Sequence, residues 1–312
     1  MQWQKLGLIF TPDTQHNWSK SHAQVPTVDV ISDKIWRIYY CARDLGNQSR
    51  ISYFEVEANN PKNVIYKHDK PILQLGKLGT FDDAGMMPSS IVTVGDCKYL
   101  YYTGWSVRKS IPFQNTIGLA ISNDGGENFR RIGDGPVIGV SLHEPYFIGT
   151  ASVIYENGLW RNWYASCTGW EIIDGRAEPR YHLKYAESMD GIEWRLTGDV
   201  AIDYKNPYEG GLVRAAVVRE YDRYLMWYAR RDVMGYRHES QRSYRIGYAE
   251  SSDGIRWKRL DEQSGIDVSE EGWDSEMVAY PNVVQDENSS FLFYNGNGFG
   301  KSGIGVARRL RG

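Results

Sequence analysis

Along this chain apolar and polar residues alternate with a period of two, and almost no stretch keeps a 3.6-residue apolar period over three turns. The stretch Ile246–Leu260, I-G-Y-A-E-S-S-D-G-I-R-W-K-R-L, shows the pattern. Ile246, Tyr248 and Glu250 alternate with smaller residues as on a strand. Asp253-Gly254 supplies the positive φ angles of a tight turn, and Trp257 opens the return strand. The same hairpin recurs as L-K-Y-A-E-S-M-D-G-I-E-W-R-L over Leu183–Leu196 and as I-G-L-A-I-S-N-D-G-G-E-N-F over Ile117–Phe129. Its turn aspartates, Asp124, Asp190 and Asp253, stand about 65 residues apart, a repeat long enough for four strands with generous loops.

Between these outer hairpins lie inner ones. Their second strands carry aromatic pairs: Tyr39-Tyr40, Tyr101-Tyr102, Trp163-Tyr164, Trp227-Tyr228 and Phe293-Tyr294. Five inner hairpins are followed by only four complete outer ones, because the last unit ends with Ile304–Ala307, one strand short. Trp3-Gln4-Lys5-Leu6 matches Trp257-Lys258-Arg259-Leu260, a fourth strand. The pattern therefore predicts an all-β fold, a five-bladed β-propeller of four-stranded antiparallel blades occupying residues 1–312 as one domain. The N-terminal strand completes the last blade, which would also remove exposed sheet edges.

The composition is that of a globular chain, 41% hydrophobic, 24% charged and 13% aromatic, with a net charge of −3. That balance offers no reason to expect nucleic acid or an acidic membrane as partner. The cysteines Cys41, Cys97 and Cys167 are too sparse for a disulfide framework. The N-terminus lacks the pattern of a signal peptide, and no apolar run is long enough for a membrane span. A cytoplasmic protein is expected, with the oligomeric state left open.

The turns between second and third strands and between blades are long: Thr11–Gln24, Gln74–Met87, Trp105–Asn115, Cys167–Tyr181 and Val233–Ser243. In an up-and-down blade they share one face, and function commonly sits on long loops over a rigid scaffold. Aligning the inner strands on Pro26, Pro88, Thr150, Arg214 and Pro281 places Ser21, Asp83, Pro145, Glu209 and Glu276 at one equivalent position, with Asp82, Glu144 and Asp274 nearby. These acids either converge on the axis or are solvated loop residues. Cys41-Ala42-Arg43-Asp44 and Tyr228-Ala229-Arg230-Arg231-Asp232 are near-copies at second-strand ends. Arg43, Arg230 or Arg231 either clamps a carboxylate or phosphate bidentately or pairs internally with aspartate. Arg214 is a further candidate for the funnel. Trp105 and Trp170, in matching T-G-W contexts, are either sugar-stacking or tucked against neighbours. His22 and His143 lie on the same face, and their spacing suggests no metal site. Asn295–Ser302 resembles the end of a phosphate-binding loop but is followed by a strand, and no G-x-S-x-G elbow is present.

Taken together, the S-x-D-G turns and the L-Y-Y-T-G and M-W-Y-A-R strands resemble the five-bladed β-propeller glycosidases: glycoside hydrolase families 43, 32 and 68, and the related mannoside phosphorylases of family 130. The resemblance covers nearly the whole chain. It implies Glu209, in Y-E-G-G, as the blade-four general acid. The chain departs from those families in blade one, with Gln24-Val25-Pro26 where an aspartate is expected before the proline. It departs again in blade three, with Gly149-Thr150-Ala151 in place of R-D-P.

Two functional readings follow. In one, the protein acts on a glycosidic bond. Glu209, kept protonated by apolar surroundings, is the acid, and Glu276 or Asp83 is the base or nucleophile. A separation of about 5–5.5 Å would imply retention and about 6.5–9.5 Å inversion, and an arginine-lined variant would use phosphate. In the other, it recognises a saccharide without turnover. Both expect a sugar-containing partner and no cofactor; beside these two stands a protein-interaction propeller, which predicts an apolar patch on one face and acids that do not converge.

Overall fold

The computed structural model describes residues 2–311 and is nearly all β. Strand β1 (Gln4–Phe10) stands first. The first unit follows as β2 (Ser21–Val30), β3 (Ile35–Arg43), β4 (Ser49–Glu57) and β5 (Asn60–Lys67). The second is β6 (Gly85–Val94), β7 (Cys97–Val107), β8 (Phe113–Ser122) and the short β9 (Arg130–Arg131). The third is β10 (Ile148–Glu156), β11 (Leu159–Ile173), β12 (Arg176–Ser188) and β13 (Trp194–Ile202). The fourth is β14 (Glu209–Glu220), β15 (Arg223–Asp232), β16 (Arg245–Ser251) and the short β17 (Lys258–Arg259). The last has β18 (Ala279–Gln285), β19 (Ser289–Asn295) and β20 (Ile304–Leu310), and β1 pairs antiparallel with β20 to complete its four strands.

Each first strand packs on the next: β2 on β6, β6 on β10, β10 on β14, β14 on β18, and β18 back on β2. The hydrophobic core is divided accordingly, with one cluster at each junction. Tyr39, Met86 and Leu100 lie between units one and two, and Tyr101, Ile148 and Trp160 between two and three. Trp163, Leu212 and Met226 fill the next junction, Trp3, Trp227 and Leu292 the one after, and Phe10, Trp36 and Phe291 the last. Alternation explains this layout, since each sheet buries side chains on both faces against a neighbour.

The aromatic pairs have a division of labour. The first aromatic reaches the outer turn of the next unit: Tyr39 donates to the Gly126 carbonyl at 3.1 Å, Tyr101 to Gly191 at 2.7 Å and Trp163 Nε1 to Gly254 at 2.8 Å. Those turns close as the S-x-D-G pattern predicts. Ser251 Oγ accepts from the Gly254 amide at 2.8 Å, and Asp253 accepts from the amides of Ile255 and Arg256, each at 2.8 Å.

Two expectations are corrected here. The stretch Cys167–Tyr181 is mostly not loop: β11 and β12 continue as a paired ribbon out to Ile173 and Arg176, turning at Asp174-Gly175. The alignment of the inner strands also shifts. Thr27, Ser90, Ser152, Ala216 and Asn282 stand opposite the first aromatic of each pair. Val25, Pro88, Thr150, Arg214 and Tyr280 are therefore equivalent, and Pro26 and Pro281 fall one residue later. Four of these equivalents have left-handed backbone, with φ of 56° at Val25, 50° at Thr150, 58° at Arg214 and 52° at Tyr280. A proline ring cannot adopt such an angle, so Pro88 is the exception. These bulges turn the first strands beside the axis.

Candidate functional site

Most of the acids before the inner strands serve the scaffold. Asp82, 1% exposed, accepts from the Tyr102 hydroxyl at 3.1 Å and from Arg131 Nε of β9 at 2.8 Å. Glu144 accepts from Tyr164 at 2.9 Å, from Lys184 at 2.8 Å and from Ser166. Asp274 accepts from Tyr294 at 2.9 Å and from Lys5 of β1 at 2.7 Å. The second aromatic of each of these pairs thus anchors a buried carboxylate, which a cation from an outer strand neutralises. Such groups must be fully paired because an unpaired buried charge is costly.

Glu209 is also paired with a cation, although the second aromatic of its unit, Tyr228, donates to Asp261 instead. Arg259 of β17 grips both oxygens of Glu209, at 2.8 and 2.9 Å, and the Lys205 amide donates to it at 2.7 Å. The bidentate fork is the geometry of an ionised carboxylate, so the expected apolar setting for a protonated acid is not what surrounds it. Asp83 accepts from the Gly79 amide at 2.9 Å within its own loop. Glu276 is exposed, and its backbone amide donates to Asn297 at 2.8 Å.

Glu209 also borders a polar cavity of about 580 Å³ with Arg230, Asp232, Arg245, Asp261 and Asp267. Burial, reinforced by the Glu209 charge, raises the pKa of Asp232 against the pull of Arg242 and Arg230. Burial also opposes ionisation of Asp261, but Tyr228 and Arg259 outweigh it and hold its pKa low.

Arg214 crosses from unit four to the opposite side of the ring. Its guanidinium donates to the Pro26 carbonyl at 2.7 Å, to Thr27 Oγ1 at 2.9 Å and to the Ser89 carbonyl. It is 1% exposed, and burial alone lowers its pKa to about 9. Its left-handed backbone is held by its own amide donating to Thr150 Oγ1 at 3.2 Å.

Above Arg214, toward the long-loop face, the wall is aromatic and cationic. Arg231 is buried, stacked 3.8 Å from the centre of the Tyr236 ring, and donates to the Tyr181 hydroxyl at 3.0 Å. Tyr181 and Tyr244 share a hydrogen bond of 2.6 Å. Tyr236 donates to Glu178 at 2.6 Å, and Arg237 bonds both oxygens of Glu178 at 3.0 and 3.2 Å. Burial opposes ionisation of Glu178, but these bonds keep its pKa below the usual range. Phe299 packs against Tyr236 and Tyr244, with ring centres 6.2 and 6.0 Å away. Tyr280 lies 5.5 Å from Tyr244 and is half-buried, and its hydroxyl makes no hydrogen bond. On the unit-one side, Arg43 donates through Nε to Gln24 at 3.0 Å and stands 5.7 Å from the Trp105 ring. His22 is buried, and burial with the charges of Arg43 and Lys301 lowers its pKa to about 4.

The structure therefore brings Arg43 beside Trp105 and His22, places both Arg43 and Arg231 near Tyr280, and buries Arg214. It leaves Trp170 in an aromatic cluster with Phe113 and Phe147, and His143 exposed on a loop. Sequence reasoning missed Tyr280, Tyr181, Tyr236, Tyr244, Phe299, Glu178, Arg237 and Lys301. Aligning on the aromatic pairs rather than the prolines would have found Tyr280. The others come from separate loops and hairpins with no shared motif. Among the described residues no group of His, Cys, Asp or Glu side chains forms a candidate metal site. The three cysteines are free, and no helix is long and apolar enough to cross a membrane.

The fold is similar to that of solved glycoside hydrolases. A glycosyl hydrolase from Bacteroides ovatus superposes with a TM-score of 0.69 at 16% identity, covering 99% of this chain and 95% of that one. A thermostable family-43 glycoside hydrolase superposes with a TM-score of 0.67 at 15% identity, over 93% and 89% of the two chains. A Bombyx mori family-32 β-fructofuranosidase in complex with sucrose gives 0.61 at 13% identity, over 96% and 62%. The chain belongs to the family of the Mycobacterium tuberculosis protein described as uncharacterized protein Rv1502. The two are 38% identical over 307 residues, 98% of this chain and 99% of the relative. No protein-family profile matches the chain.

Proposed function

We propose that this protein is a saccharide-recognising propeller. Its five units are the blades of one closed ring spanning the chain, with β1 as the closing strand, and the ligand is held at the mouth of the central depression. One observation carries the reading. Tyr181, Tyr236, Tyr244, Tyr280 and Phe299 cluster with Arg231 and Arg237, and the half-buried Tyr280 has no hydrogen-bond partner for its hydroxyl among the described residues. Aromatic faces bind the apolar side of a sugar ring, and phenol and guanidinium groups satisfy its hydroxyls. The strained φ at Tyr280 fits a position shaped for a ligand. The carboxylates needed for acid–base cleavage do not stand in this wall: Glu178 is its one acid, and Arg237 and Tyr236 occupy it.

Binding is tested on a broad glycan array, alongside assays for release of reducing sugar and of sugar phosphate. Glycan capture without turnover is expected. Tyr280→Ala should weaken it about tenfold, as loss of an aromatic anchor does, and Glu209→Gln should leave it intact. Turnover that disappears in Glu209→Gln would reject this reading. It would favour the second one, glycosidic bond cleavage in the neighbouring cavity, where Asp232 with its raised pKa shares the lining with Glu209.

A further inference from the structure

The mouth of the depression holds more positive charge than its own carboxylate offsets. Arg43, Arg231, Arg237 and Lys301 border it, and Glu178 is the acid in its wall. Glu178 is already shared between Arg237 and, at 3.3 Å, Arg176. Nearby acids are engaged elsewhere: Asp44 pairs with Arg50 at 2.7 Å, and Asp232 lines the separate cavity.

Arg43 spends its donors on neutral groups, Gln24 and Asn47, each at 3.0 Å, so its charge has no counterpart. Lys301 is exposed and makes no ion pair among the described residues. His22 lies near both, and their charges help keep its ring neutral. Arg231 is buried with its donors taken by Tyr181 and by the carbonyls of Asp232 and Pro179. It therefore contributes field rather than contact, as does Arg214 below. A neutral sugar requires hydroxyl partners and a stacking face, but not this field. A half-buried cation without counter-charge, as Arg43 is, is unfavourable, and an anionic ligand supplies what is missing.

We infer that the ligand is an acidic saccharide whose carboxylate or phosphate ester seats between Arg43 and Lys301, with a sugar ring against Tyr280. This rests on the saccharide-recognition reading above and names the ligand class for the same site.

The test is protein-observed NMR at low salt, with the His22 imidazole and the Tyr280 ring as reporters. The probes are glucuronate, glucose 6-phosphate, glucose and inorganic phosphate. At least one of the two acidic sugars should shift both reporters and bind about tenfold tighter than glucose, as charge-assisted hydrogen bonds allow. The stronger of them identifies the group. Arg43→Gln and Lys301→Gln should each weaken that binding about tenfold, and Lys301, being exposed, can be changed without threat to the fold. Three results overturn the inference: glucose equalling both acids, neither acid shifting the reporters, or binding unchanged in both variants. Inorganic phosphate matching glucose 6-phosphate overturns it too, because the sugar then adds nothing. If these probes fail while neutral glycans are captured on the array, the recognition reading stands without its acidic specificity. If the array fails as well, both fall.

Discussion

At the scale of single residues, what a carboxylate does here depends on its partners rather than its position. Glu209, Asp82, Glu144 and Asp274 all precede inner strands, yet each is saturated by tyrosine, lysine, arginine or backbone donors. His22 carries the opposite lesson, a titratable group kept neutral. Its folded-state pKa of about 4 lies below the ordinary histidine value of 6.5, so the unfolded chain takes up this proton first as pH falls. The stability from the neutral ring is complete above pH 6.5 and is lost as pH falls through 4. Urea midpoints measured between pH 7 and pH 4 should fall, with this group accounting for up to about 3 kcal/mol. In His22→Asn that part of the slope should vanish, and asparagine tolerates the left-handed φ of 63° at this site. An unchanged acid limb in the variant would mean that His22 is not the group responsible.

The outer hairpin is the repeating element, and its turn makes two sets of contacts. Within the turn, serine and aspartate side chains accept the amides that the tight bend leaves unpaired. Across the junction, the glycine carbonyl accepts from the neighbouring unit's aromatic residue, as in Trp163 to Gly254. Trp163→Phe keeps an aromatic ring but removes that donor, leaving the Gly254 carbonyl to Trp257 Nε1 alone, at 3.0 Å. A loss of about 1–2 kcal/mol in chemical denaturation is expected. Gly254→Ala should cost about 1 kcal/mol or more, because φ there is +77° and a Cβ would sit 2.7 Å from Arg161. Wild-type stability in either variant would show that the junction is held by its apolar cluster alone.

For the whole molecule, β1 decides whether the last unit is finished. It brings Trp3 against Trp227, Phe10 against Phe54, and Lys5 to Asp274. A chain lacking residues 2–10 would leave β20 with an unpaired edge and two junctions short of aromatic packing. It should lose cooperative thermal unfolding and self-associate, as read by calorimetry and size-exclusion chromatography. A monomeric variant with unaltered unfolding would refute closure by β1.

By itself, the sequence determined the architecture. Alternation of period two, recurrent Asp-Gly turns and aromatic pairs are local signals, and repeating them five times leaves little freedom in how strands pair. The orphaned third strand and the matching Trp3–Leu6 even disclosed which ends meet. Only the tertiary structure decided the chemistry of the site. Glu209 reads as an acid until Arg259, fifty residues on, is seen to grip it. Tyr280, Arg43, Glu178 and Arg237 share no motif and meet because four different units lean on one axis. Sequence spacing records the strand period, but which side chains neutralise one another across the ring is settled by packing, and that pairing sets which charges are left for a ligand.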